Sequence, residues 1–138
     1  MHTVPPISDA TLAKLTRIGR GSSNETEDSI RQLFRIKNKP LFEPVVATFL
    51  WYGGYCLPFS GNERFKILRA KAAVRDLRFW EPNSCNPTFF RITFGQSETI
   101  QCNYLMDGHG HIFEDDVQIA ESASDWIEHW AHNYSRSS

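Results

Sequence analysis

Residues 89–130 read FFRITFGQSETIQCNYLMDGHGHIFEDDVQIAESASDWIEHW, and this stretch decides the fold. Phe90, Ile92 and Phe94 alternate with Arg91 and Thr93, which gives a first strand one apolar and one polar face. The polar segment 95–98 turns the chain, and Ile100, Cys102, Tyr104 and Met106 alternate onto one face of a second strand. Asp107-Gly108 is a strong turn dipeptide, followed by a short strand over 111–114. Ser122 with Asp125 is close to a capping box, with Asp in place of Glu or Gln. Trp126, Ile127, Trp130 and Tyr134 then fall on one helical stripe, which must cover an apolar surface. The expected architecture is α+β: a single domain with a central antiparallel sheet of about four to six strands packed by helices.

Upstream of this unit the chain reads as helices. Ser8 caps a helix over 9–18, with Leu12 and Leu15 on its apolar side. The Gly-Ser loop at 19–24 lacks the Lys-Ser/Thr and the preceding strand of a phosphate cradle, so it is read as a linker. Asn24 with Glu27 suggests a capping box for a helix to about Lys37 that buries Ile30, Leu33, Phe34 and Ile36. A third helix begins near Pro44 and is apolar on most sides, which marks it as buried; Gly53 and Gly54 end it. The segment 56–73 is ambiguous from periodicity, while 69–80 reads as helix and is stopped by Pro82.

A chain of 138 residues, 41% hydrophobic and 22% charged, is long enough for one core. Its net charge of −1 removes any global argument for nucleic acid or an anionic membrane as partner. No run approaches the roughly 18 apolar residues that span a bilayer. The N-terminal segment has neither the positive start nor the apolar run of a signal peptide. Cys56, Cys85 and Cys102 are odd in number and lack CxxC spacing, so no disulfide framework or zinc site is expected, and a reducing cytoplasmic setting is the simplest home.

Three clusters bear on chemistry. His109, His111, Glu114, Asp115 and Asp116 hold ligand types suited to zinc, iron or manganese, but the turn at 107–110 should splay the two rings. Arg64, Lys66, Arg69, Lys71, Arg75 and Arg78 lie among Phe65, Phe79 and Trp80, a mixture that can serve nucleic acid but in a chain neutral overall reads first as a solvated helix face whose aromatics point inward. Glu114, Asp115, Asp116, Glu121 and Asp125 gather before the last helix, where an acidic rim suits docking of a basic protein. No nucleophile elbow occurs, and Cys102 on an apolar strand face reads as a small hydrophobe. No catalytic residue, metal or cofactor is therefore assigned.

The order of features resembles the SUKH superfamily, the group named after yeast cell-wall-synthesis regulators and abundant in bacteria as immunity proteins. The matching residues are Phe49-Leu50 with Gly53-Gly54, then 65–68, 70–80 and Phe89-Phe90-Arg91-Ile92. Tyr104-Leu105-Met106-Asp107, Gly110-His111-Ile112-Phe113 and the segment 120–127 complete the series. The chain differs in having Lys39-Pro40-Leu41 where the family has Leu-Pro, and in an added N-terminal segment. The resemblance covers roughly residues 25–132 and implies a strand at 64–68; with the residue reading, the domain runs over 25–134, after an extension at 1–24 with a short helix and before a disordered tail at 135–138. The resemblance further implies a non-enzymatic module that binds a protein partner, in many bacterial members a secreted toxin and often a nuclease. The residues expected at that contact are Glu114, Asp115, Asp116 and Glu121, with His109 and His111 at the neighbouring turn. The alternatives are a metal-dependent enzyme using His109 and His111, or a nucleic-acid binder using the basic segment 64–80.

Overall fold

Each strand of the sheet pairs antiparallel with the next in sequence, so no crossover is needed, although a helix lies within the connection from the second strand to the third. A computed structural model describes residues 5–19, 21, 25–58, 63–75, 91–97, 103–114 and 117–133. Among these lie six strands: β1 (Cys56–Pro58), β2 (Arg64–Ile67), β3 (Arg91–Ser97), β4 (Asn103–Asp107), β5 (Ile112–Glu114) and β6 (Val117–Ala120). Five helices accompany them: α1 (Asp9–Ile18), α2 (Glu27–Ile36), α3 (Glu43–Tyr52), α4 (Ala70–Arg75) and α5 (Ala123–Asn133). The order α1-α2-α3-β1-β2-α4-β3-β4-β5-β6-α5 is the α+β architecture expected.

Ile92, Met106 and Ile112 face one another across β3, β4 and β5, and all three are fully buried. Helices α3 and α5 cover this face. The Thr48 hydroxyl reaches the Met106 sulfur at 3.4 Å, and the Trp126 ring lies 4.6 Å from Phe65 and 6.1 Å from Tyr104. Such aromatic pairs add about 0.5–1.5 kcal/mol beyond their area. Phe34 of α2 packs on Phe49 of α3 at 6.4 Å, and one continuous core joins all these groups. Tyr52 belongs to this core, where its hydroxyl meets the Ser124 hydroxyl at 2.7 Å; Trp51 is half-buried at its margin.

Several local expectations change. The cap of α2 is Thr26 with Ser29, not Asn24 with Glu27: Thr26 Oγ1 accepts the Ser29 N–H at 3.1 Å, and Ser29 Oγ accepts the Thr26 N–H at 2.8 Å. A hydroxyl pair does the work usually given to a carboxylate. Within α2 only Ile30 and Phe34 are fully buried and Ile36 is exposed, since Ile36 falls off the stripe that the other two define. In α1 the buried neighbour of Leu15 is Thr11, and Leu12 faces outward. Gly54, at φ +93°, takes the left-handed position after α3, while Gly53 at φ −59° does not.

Segment 95–97 continues β3 instead of turning. A bulge makes this possible: Thr93 pairs with Leu105 and Gly95 with Tyr104, leaving Phe94 as the additional residue. The Phe65 ring lies directly on Gly95, where a Cβ would collide with it. The opposite face of the sheet is not simply polar, because Thr93 is buried and the Arg91 guanidinium sits 3.7 Å over the Phe113 ring. Neither β1 nor β6 was expected, since prolines and acids mask such short strands. The resemblance-based strand at 64–68 corresponds to β2. Expectations for Ile100, Cys102, Phe89, Phe90 and Tyr134, and for the continuation of α4 to Trp80, lie outside the described residues.

Candidate functional site

The hairpin between β4 and β5 is organised by Asp107, which is only 2% exposed. Its Oδ1 accepts the backbone N–H groups of His109 and His111, each at 2.9 Å, and its Oδ2 lies 3.1 Å from His111 Nδ1. The backbone closes the same turn: Asp107 N–H donates to His111 O, and Gly110 N–H donates to Asp107 O, both at 3.1 Å. Gly110 is needed twice over. Its φ is +91°, and an added Cβ would stand 3.0 Å from Pro44 Cβ at the start of α3. One carboxylate thus fixes three donors, and the turn is rigid although it is short.

This turn sets the two imidazoles 5.8 Å apart between ring centroids and tilted by 37°, so it does not splay them as expected. His109 is exposed. His111 is half-buried, with Asp107 on one nitrogen and Glu121 Oε2 at 3.7 Å from the other. The Asp107 contact is within hydrogen-bond distance, whereas Glu121 stands beyond it. Among the described residues, no three His, Cys, Asp or Glu side chains gather in a metal-holding arrangement. The missing signal in sequence was the Asp two residues before one His and four before another, a spacing that lets a carboxylate cap both amides.

Glu121 is the bend between β6 and α5, and its side chain is 75% exposed. Ser122 caps α5 as expected, its Oγ accepting the Asp125 N–H at 3.0 Å, and Asp125 stands exposed in the first turn. Glu114 is half-buried on β5 and pairs in register with Val117. Asp115 and Asp116 lie outside the described residues. Of the described acids, Glu114 pairs with Val117 of β6 and Glu121 follows that strand, on which Val117 is 65% and Ile119 39% exposed. Residue-by-residue reading missed this apolar pair because a four-residue strand between acids looks like solvated loop.

Beside the hairpin opens a cleft of about 360 Å³ whose lining includes Pro44, Trp51, His109, Gly110 and Ser122. Of the basic set, Arg64 and Lys66 project from alternate positions of β2, and Lys71 and Arg75 lie one helical turn apart on α4. Arg69 packs between Gly21 and Gly54, so part of the basic run serves the fold; Arg78 lies outside the described residues. A carboxylate also ties down the first helix: Glu128 of α5 accepts from the Ser8 N–H at 2.5 Å and from the Thr11 hydroxyl. Those bonds, the Thr11 one foremost, hold the Glu128 carboxyl below its ordinary range. Burial pushes the Tyr52 hydroxyl up to about 12, against the opposing effect of its bond to Ser124.

No family model, no curated protein and no solved structure matches the chain.

Proposed function

We propose that the chain is a non-enzymatic, stoichiometric protein-binding module, and that its partner is a toxin which it neutralises by direct contact, as the SUKH resemblance implies. One observation carries the reading: Val117 and Ile119 stand exposed on β6, with Glu114 in register with Val117 on β5 and Glu121 directly after the strand. Large apolar side chains in water gain from being covered, by about 1.5–3 kcal/mol each when fully buried. The acids around them favour a basic partner and disfavour nucleic acid, whose phosphates they repel. His109 and His111 adjoin this rim on a turn locked by Asp107, which suits recognition by a surface already in its bound shape.

The test uses Gln118→Lys combined with Glu121→Lys, both at exposed positions. In cells producing the partner, the wild-type chain should restore growth and the double variant should not. The affinity of the purified pair should fall as salt rises, with a shallower slope for the variant. Unchanged affinity and unchanged salt dependence in the variant would overturn the reading.

A further inference from the structure

We propose that the β4–β5 hairpin and the β6–α5 bend together form a site for one divalent transition-metal ion such as zinc. Its ligands are His111 Nε2, the Glu121 carboxylate and the His109 ring, with water in the fourth position. Such a site asks nothing of the protein partner proposed above.

The Asp107 carboxylate can only accept hydrogen bonds. Its Oδ2, 3.1 Å from His111 Nδ1, therefore selects the imidazole form that carries its proton on Nδ1. Nε2 is then a lone pair, and Glu121 Oε2 stands 3.7 Å from it. Two acceptors at that separation repel each other unless a cation lies between them. A proton does not bridge them, because 3.7 Å is too long for a hydrogen bond. A metal ion does. With Zn–N at about 2.0–2.1 Å and Zn–O at about 2.0–2.2 Å, two ligand atoms at a tetrahedral angle stand about 3.3–3.5 Å apart. Glu121 can supply the small shift required: its side chain is 75% exposed, and among the described residues His111 is its one ion-pair partner.

Asp107 also supplies what a metal-bound histidine ordinarily has, a carboxylate on the ring nitrogen away from the metal. That carboxylate is itself fixed, since it accepts the His109 and His111 backbone N–H groups. The third ligand needs a rotation. As they stand, the three side chains do not enclose a common point. The two imidazole centroids lie 5.8 Å apart, against roughly 5 Å for two rings on one zinc ion. His109 is exposed and its ring has no hydrogen-bond partner among the described residues, so turning it toward His111 breaks no bond. The other described histidines, His129 and His132 of α5, have no carboxylate on either ring, and His129 Nδ1 lies 3.2 Å from the Asn133 side chain.

The probe is zinc chloride, titrated by calorimetry into the untagged full chain. Cobalt(II) serves as a second ion whose visible absorption reports tetrahedral coordination. One equivalent should bind. His109→Ala and Glu121→Gln, both at exposed positions, should each weaken binding by about tenfold or more, the least that loss even of an outer partner costs. Circular dichroism should be unchanged in both, and His129→Ala combined with His132→Ala should bind as the wild type does. In proton NMR, zinc should shift the imidazole signals of two of the five histidines, one of them absent from His109→Ala. No binding by the wild type would overturn the site. So would equal affinity for Glu121→Gln, or loss of binding in the variant that lacks His129 and His132.

Discussion

Asp107 is one residue on which a whole turn depends. Replacing it with Ala strips acceptors from two backbone N–H groups and from the His111 ring, which should lower unfolding free energy by about 2–4 kcal/mol in denaturant titration. Asp107→Asn keeps one acceptor oxygen and should cost less. A comparable demand falls on Gly95. Alanine there would press a methyl into the Phe65 ring, which Tyr104 and Trp126 hold at 4.6 Å on other sides. Overpacking of this kind should destabilise by about 1–3 kcal/mol in the same titration, and Phe65→Leu should relieve part of the added loss. The sequence showed Asp107-Gly108 as a turn and Gly95 as a break. It did not show that one is a buried acceptor and the other lies beneath an aromatic ring, because both facts depend on partners brought together by the fold.

Polar contacts tie the helices to one another, and two of the groups involved respond to pH. Glu128 has its carboxyl depressed from an ordinary value of 4.5, so its contribution is present above that value and is lost as pH falls through the lower folded-state one. Acidification should therefore loosen α1 from α5 first, seen as faster amide exchange at Leu12 and Leu15, and Glu128→Gln should give that pattern already at neutral pH. Tyr52 runs the other way. Its hydroxyl rises from 10.0 unfolded to about 12 folded, so the stability it contributes is present below 10 and is lost on the way up to about 12. In an absorbance titration one tyrosine should ionise late and together with unfolding, and Tyr52→Phe should remove that late step. At this scale the sequence was informative for the long elements. The stripe of Trp126, Ile127 and Trp130 and the apolar run of α3 each predicted their burial. The short strand β5 was expected over 111–114, but β1 and β6 were not legible: β1 ends in proline and β6 lies between acids, and each exists because a neighbouring strand supplies its hydrogen bonds.

For the whole molecule, the uneven finish of the sheet matters most. One edge is closed by Pro58 and the Trp130 indole; the other shows apolar side chains to water between carboxylates. The acidic rim was visible in sequence as a composition, but the exposed pair at its centre was not, since burial cannot be read from two residues. A protein built to bind tightly would retain such a surface despite its cost in solubility. The most direct test isolates the tagged chain from its native cell, wild type beside Gln118→Lys with Glu121→Lys, and determines what accompanies it and in what ratio. The predicted result is one basic protein at one-to-one stoichiometry with the wild type and none with the variant. Equal recovery of that protein with both forms, or recovery of nucleic acid in its place, would contradict the account.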